Sequence, residues 1–274
     1  MINTYATLTD YKSFVTARGQ TASTDATDDA VIKDLIEQAS RYLDGETGRQ
    51  FYPTVETRLY DIPQDEILYL AADLLEVLSL TNGDGTTIAA ADYFLLPANI
   101  SPRYGIALDT TANVQWESDS AGNTRQVISV QGIWGYCERY ATRGWKSGGT
   151  LGANISDTTT LNFTMTAGHT LEAGQIVKIG TELYNIDSVA TNTITPVQRG
   201  DNGSTAATHT SGTTVYIWQP DTRAAKAVLD QASIDYDARF GKQDATGAKT
   251  ATEVKMKGAA RSMRDFIDLM VVFS

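Results

Sequence analysis

The sequence DDAVIKDLIEQASRYLDGETGRQFYP, residues 28–53, decides the expected fold of this chain. Apolar side chains recur there at the i, i+4 and i+8 spacing, which predicts one amphipathic helix over 28–47. Thr27 is the expected N-cap, and Gly48 is the expected left-handed C-cap. An extended aromatic segment, 51–53, comes next. The stretch therefore predicts a helix that docks on a core.

Two further helices and a set of strands are expected around this helix. Helical spacing predicts a short helix over 7–18 and a longer one over 220–241, where Pro220 is a typical first-turn residue. From about 56 to 136, apolar runs alternate with turn signals, which predicts strands joined as hairpins. The turn signal at 82–85, Asn-Gly-Asp-Gly, is the strongest.

Residues 147–216 have a different texture, rich in Thr, Gly, Ser, Val and Ile, and predict short strands of a small sandwich or barrel. We therefore expect an α+β chain. Residues 1–146 and 217–274 would form an α-helical core with β-hairpins, and 147–216 would be an inserted all-β domain.

The composition excludes several classes of protein. The formal net charge of -11 argues against broad nucleic-acid binding, which needs a basic face. A single cysteine excludes an internal disulfide framework and fits a reducing compartment. No apolar run approaches the ~20 residues that span a bilayer, and the first residues lack a secretory pattern. We expect no membrane partner.

Signals for catalysis are poor. The sequence has no nucleophile elbow, phosphate-binding glycine loop or zinc-binding helix motif. His169 and His209 are each expected as a surface or turn residue, and Cys137 as a packed apolar residue. The Asn-Gly-Asp-Gly turn lacks the acidic ligand that a calcium loop needs at its twelfth position. We therefore expect no catalytic residue, no cofactor and no metal site.

Two features suggest contact surfaces. Trp145 and Trp218 flank the expected insertion, where they would pack in a core, clamp two domains together or form a subunit interface. Residues 242–264 contain six basic and two acidic residues, and the chain ends in an apolar run. This tail is either solvated or reaches an acidic partner or a neighbouring copy. The candidate interface residues in it are Arg261, Arg264, Phe266, Met270 and Phe273.

Five segments in order resemble the head–tail connector, or adaptor, family of long-tailed bacteriophages. They are YATLTDYKSFV (5–15), TDDAVIKDLIEQASRYLDGETGRQFYP (27–53), DLLEVLSLTNGDGTTI (73–88), DYFLLPANISPRYGIAL (92–108) and VISVQGIWGY (127–136). In the family pattern the last strand leads almost directly into a helix, which 220–241 resembles. Here about seventy residues intervene, which is a departure from that pattern.

The end of the intervening stretch, 197–215, resembles a module of various phage structural proteins with the pattern R-G-x-x-G-[ST]-x-A-x-x-H-x-x-G. The matching positions are Arg199, Gly200, Gly203, Ser204, Ala206, His209 and Gly212. The glycines are expected in tight turns, and His209 is expected to order the loop.

The resemblance implies a structural virion protein that is not an enzyme. It implies a homo-oligomeric ring of about twelve copies under the portal protein, which extends the DNA channel and docks stopper or tail-completion proteins. An acidic body suits a channel through which DNA slides without specific binding. The expected location is the virion neck, after assembly in the host cytoplasm.

Two other functions remain open. One is another virion structural role, as a tail terminator or a capsid decoration protein. The other is a glycan-binding or hydrolytic module formed by 147–216, although no convincing catalytic pair of carboxylates is present in it.

Overall fold

The computed structural model describes residues 1–240, and strands dominate this part of the chain. The helices are α1 (Leu8–Ala17), α2 (Ala26–Thr47), α3 (Tyr140–Arg143) and α4 (Thr222–Phe240). The strands of the first sheet are β1 (Thr54–Tyr60), β2 (Ile67–Thr81), β3 (Tyr93–Leu96), β4 (Arg103–Leu108) and β5 (Ile128–Trp134). Those of the second are β6 (Trp145–Thr150), β7 (Phe163–Thr164), β8 (Ile176–Ile179), β9 (Glu182–Ala190), β10 (Thr193–Pro196) and β11 (Thr214–Trp218).

The expected fold class, an α-helical core with hairpins and a small β insertion, is wrong. Strand accounts for 31% of the described residues and helix for 23%, and the strands form two antiparallel sheets. The reason lies in 54–134, where the expected separate hairpins pair laterally into one sheet. Alternate apolar residues along its strands point to the same side and build a core there, which isolated hairpins cannot do.

The described chain divides into two compact units. Unit 1 contains Met1–Phe51, Lys146–Asp201 and the described residues from Thr205 onward. Unit 2 contains Tyr52–Trp145 and Asn202–Ser204. The helices α1, α2 and α4 thus share a unit with most of the second sheet. The domain boundaries expected at 146 and 217 stay a prediction.

Capping residues mark where the first two helices of unit 1 begin or end. Thr7 caps α1 in a capping box with Asp10. The N-cap of α2 is Asp25, whose carboxylate accepts the N–H of Thr27 at 2.8 Å, so the expected cap at Thr27 is two residues late. Gly48 ends α2 with φ 62°, as expected.

Helices α1 and α4 are linked through polar and aromatic contacts. Arg18 forms a salt bridge with the buried Asp230 at 2.8 Å, and the rings of Tyr11 and Tyr236 meet edge to face with centroids 6.3 Å apart. The hydroxyl of Tyr236 also donates to Asp28 on α2 at 3.0 Å. These contacts hold the three helices together.

The second sheet has the strand order β6-β11-β8-β9-β10-β7. Its apolar core is formed by Leu151, Ile155, Phe163, Met165, Leu171, Val177, Ile179, Tyr184, Ile186, Ile194, Val215 and Ile217. Helical and strand parts of unit 1 are joined by hydrogen bonds. The N–H of Asn3 donates to Asn185 Oδ1 at 2.8 Å, and Trp218 Nε1 donates to the carbonyl of Phe51 at 3.0 Å.

The sheet of unit 2 has the order β1-β5-β2-β4-β3, with every neighbouring pair antiparallel. Its core face carries Leu68, Leu74, Leu80, Ile106, Ile128, Val130 and Trp134, all buried. The expected turn at 82–85 is confirmed: the N–H of Asn82 donates to the carbonyl of Thr86 at 2.8 Å. Within residues 1–240, no helix combines the length and apolar character that crossing a bilayer requires.

Candidate interaction surface and buried charge network

The candidate interface residues predicted from sequence lie outside the described residues. Arg261, Arg264, Phe266, Met270 and Phe273 all follow residue 240. Their role stays a prediction. The described residues contain two other features of functional interest, an apolar surface in unit 2 and a network of buried charges in unit 1.

The apolar surface lies on the outer face of β2, β4 and β3, opposite the core. Phe94 pairs with Ala107, which pairs with Ile67, and Leu96 pairs with Gly105, which pairs with Tyr69. Directly paired residues, and residues two apart on a strand, share a face of the sheet. These six residues therefore form one contiguous surface, which we call the outer patch.

The outer patch carries two large side chains that are well exposed. Tyr69 is 70% exposed and Phe94 is 57% exposed. Gly105 contributes no side chain between them, and a Cβ there would stand 3.3 Å from Ile67 Cγ2. The patch is therefore lowest at Gly105 on β4, the strand that lies between Tyr69 on β2 and Phe94 on β3.

The rest of the same face is mixed, because Leu59 at its β1 edge is also apolar and 55% exposed. On β1, β5 and β2, the paired residues Thr57, Gln131 and Ser79 occupy this side. Antiparallel sheets commonly keep one face for the core and one polar face for water. Unit 2 follows that rule only in part, because Tyr69, Phe94 and Leu59 are exposed on its outer face.

An acidic groove adjoins the outer patch. It encloses about 830 Å³ and is lined by the segments 62–67, 108–110 and 112–116. Its walls include Asp65, Glu66 and Asp109. Ile67 belongs to the outer patch and also lines the groove, so the two features share this residue.

Two side chains set the character of this groove. The carboxylate of Asp109 accepts hydrogen bonds from the N–H and the hydroxyl of Thr111, both at 2.8 Å, and these bonds lower the pKa of the carboxyl. Trp116 donates from Nε1 to the carbonyl of Glu66 at 3.1 Å. The lining of the groove therefore includes an ionised carboxylate and an indole ring held by a hydrogen bond.

The buried charge network is centred on Glu182, at the start of β9 and fully buried. Arg199 donates to both carboxylate oxygens, from Nε at 2.9 Å and from Nη2 at 3.1 Å. His209 Nε2 lies 2.9 Å from Oε2, and the N–H groups of Gly200 and Ala207 donate at 2.9 Å each. Every lone-pair direction of the carboxylate is thus used.

The network explains much of the sequence module at 199–212. Burial alone would raise the pKa of the Glu182 carboxyl, but the hydrogen bonds from Arg199, Ala207 and His209 outweigh it and lower the pKa to about 2. Arg199 also donates to the carbonyls of Asp157 and Thr160. The module therefore folds a long loop around one ionised carboxylate.

Sequence reasoning missed Glu182 as the partner of the module. His209 orders the loop, as expected, and Arg199 and Gly200 contact the same carboxylate. The available signal was Arg199 in the pattern itself, since an arginine that becomes buried needs a partner of opposite charge. Glu182 lies seventeen residues before Arg199 and outside the recognised pattern.

The other residues considered for chemistry have structural contacts. His169 Nε2 lies 2.8 Å from the carbonyl of Thr191, and its Nδ1 accepts the N–H of Leu171. Cys137 is buried. In the chain up to residue 240, no group of three or more His, Cys, Asp or Glu side chains is placed to hold a metal ion.

Trp145 and Trp218, which flank the expected insertion, have different environments. Trp218 is buried in unit 1 and bonded to the carbonyl of Phe51, which makes it a core residue. Trp145 is half-buried, with Nε1 3.4 Å from the hydroxyl of Tyr140.

Comparisons of the chain with protein-family models, with curated proteins and with solved structures found no match in any of the three.

Proposed function

We propose that this chain is a structural virion protein, a head–tail connector that forms a ring under the portal protein. In this role it extends the DNA channel and gives stopper or tail-completion proteins a docking surface. The proposal is for about twelve copies per ring, located in the virion neck and assembled in the host cytoplasm. It includes no enzymatic activity.

The observation that carries the proposal is the outer patch. Exposed aromatic residues such as Tyr69 and Phe94, grouped on one face of a sheet, are typical of surfaces that contact another protein. A protein that functions as part of an assembly needs such a contact surface, whereas an enzyme does not need exposed aromatic residues of this kind for catalysis. The five ordered sequence segments that resemble the connector family direct the proposal to the neck of a phage.

The charge distribution also supports a channel role. Residues 52–145 contain twelve acidic and five basic residues, so this part contributes most of the net charge of -11. A surface of the same sign as the DNA phosphates suppresses contacts with them and lets the duplex slide. Specific DNA binding is not part of the proposal.

Cryo-electron microscopy of the particle neck tests this function. The expected result is a ring of copies directly under the portal, each fitted by units 1 and 2. A location at many capsid sites would replace the connector with a decoration protein, and a location at the far end of the neck would favour a tail terminator. Absence from the particle would overturn all three.

A further inference from the structure

We infer that residues 255–274 of one copy bind the outer patch and the acidic groove of a neighbouring copy. The inference rests on the proposed function and deepens it, because it names the contact that would join one copy to the next in the ring. The argument uses the chemistry of both surfaces and the length of chain after residue 240.

The first argument is the match of apolar groups. The outer patch exposes Tyr69 and Phe94, with Ile67 and Leu96 beside them. Residues 266–273, FIDLMVVF, contain seven apolar side chains in eight positions. Burying both sets of side chains against each other removes apolar area from water, which favours the association.

The second argument is charge complementarity in the right order along the chain. The apolar run of the tail is preceded by Lys255, Lys257, Arg261 and Arg264. Ile67 of the outer patch also lines a groove that carries Asp65, Glu66 and Asp109. A segment whose apolar end lies on the patch would therefore place its basic part near the carboxylates, where opposite charges attract.

The third argument is reach. The structure describes the chain up to Phe240, the end of α4, and fourteen residues, 241–254, separate it from the proposed binding segment. An extended chain spans about 3.3–3.6 Å per residue, so these residues can bridge roughly 45–50 Å. That span exceeds the ~30 Å diameter of a small domain and suffices for a contact with an adjacent copy.

The fourth argument is symmetry. A tail that binds a patch is a contact between two different surfaces, so each copy has one donor and one acceptor. Contacts of this heterologous kind repeat from copy to copy and close into a ring when the rotation allows. A tail-to-patch contact is therefore compatible with a ring.

Disulfide trapping between two full-length variants tests the inference. One chain carries Tyr69→Cys and the other carries Phe273→Cys; they are mixed and oxidised, and mass spectrometry identifies the joined peptides. We expect a disulfide between positions 69 and 273 of two chains. Tyr216→Cys, on an exposed site of β11, is the matched control, and its yield with Phe273→Cys should be at least tenfold lower.

The double variant Tyr69→Cys/Phe273→Cys separates the two possible sources of the tail. A disulfide within one chain, with the mass of a single copy, would overturn the inference that a neighbour supplies the tail. Absence of any disulfide to position 69 above the control would overturn the docking site itself. Replacing Arg261 and Arg264 by Glu should reduce the yield, and an unchanged yield would contradict the charge argument.

Failure of this inference and failure of the proposed function give different results. The disulfide between positions 69 and 273 reports the contact between copies in solution. Microscopy of the neck reports the location in the particle. A ring under the portal without the disulfide would support the connector function and contradict this contact. The disulfide without a location in the neck would support the contact and contradict the connector function.

Discussion

Arg199 holds Glu182 through two parallel hydrogen bonds, at 2.9 and 3.1 Å, in the interior of unit 1. The Glu182 side chain is fully buried, and the Arg199 side chain is 7% exposed. A buried carboxylate is tolerated only when its charge and its lone pairs are satisfied. The loop that carries Arg199 must therefore place the guanidinium within hydrogen-bonding distance of the Glu182 carboxylate.

Breaking this pair should be strongly destabilising. Glu182→Gln leaves the guanidinium of Arg199 buried without its counter-ion, and we expect a loss of about 3–5 kcal/mol in the free energy of unfolding. Glu56→Gln is the control, because Glu56 pairs with Arg58 at 2.9 Å on the surface, where such pairs contribute about 0–1 kcal/mol. Urea titrations followed by circular dichroism measure both; equal losses would contradict the buried-pair argument.

Glu182 also predicts a loss of stability in acid. Its pKa is lowered in the folded state, from the usual 4.5 to about 2, so the folded protein binds this proton less readily than the unfolded chain. The stabilisation is present above about pH 4.5 and is lost as the pH falls toward 2. Glu182→Gln should show a shallower decline over this range. An unchanged slope would show that other carboxyls dominate.

Asp44 predicts the opposite pH dependence. Burial raises the pKa of its carboxyl from 3.8 to about 6, against the lowering effects of the hydrogen bond from Tyr5 and the charge of Arg41. The folded state then binds the proton more readily than the unfolded chain. The contribution of Asp44 to the free energy of unfolding is fully present below about pH 4 and is lost as the pH rises through 6.

The isosteric Asp44→Asn variant tests this expectation. An amide oxygen can still accept the hydrogen bond from Tyr5, but it does not titrate. Relative to the wild type, the variant should gain stability between pH 4 and 7, by about 1–3 kcal/mol. Unfolding free energies at four pH values give the difference. A constant offset would rule out titration of Asp44 as the cause.

Gly203 predicts a position-specific packing defect in unit 2. The N–H of Val55 donates to the carbonyl of Asn202 at 2.8 Å, which brings the next residue against β1. A Cβ at Gly203 would lie 2.2 Å from the carbonyl oxygen of Val55. Gly203→Ala should therefore cost at least about 2 kcal/mol more than a glycine substitution in open space.

Gly212→Ala is the matched control for this effect. Both glycines have positive φ, 75° at Gly203 and 84° at Gly212, so both substitutions carry backbone strain. Nothing lies within 4 Å of a Cβ at Gly212. Thermal unfolding of the two variants isolates the steric term, and similar midpoints would argue against the close approach to Val55.

Substitutions in the outer patch should impair assembly without changing the stability of the fold. Because Tyr69 and Phe94 are exposed, the double variant Tyr69→Ser/Phe94→Ser should change the unfolding free energy by about 0.5 kcal/mol or less. We expect it to fail to complement a phage that lacks the gene, while Tyr216→Ser complements. Infectivity titres measure this. Normal titres with the patch variant would remove the patch from the proposed function.

Local features of the fold could be predicted from the sequence because they depend on nearby residues. Periodicity placed α2 within two residues at its start, and Gly48 ends it as expected, because a left-handed C-cap favours glycine. Strands β3, β4 and β8 lie in the segments where the sequence predicts strands. The turn at 82–85 follows from its own side chains and backbone.

The assembly of these elements was decided by contacts between residues far apart in the chain. The sequence indicated strands between 56 and 136, but only lateral pairing turned them into a sheet with its own core and an apolar outer patch. Glu182 became the partner of Arg199 because β9 brings its carboxylate under the loop. The sequence by itself determined where helices, strands and turns form, because hydrogen bonding and side-chain periodicity act locally; only the tertiary structure decided which faces are buried and which charges meet, because burial depends on the whole chain.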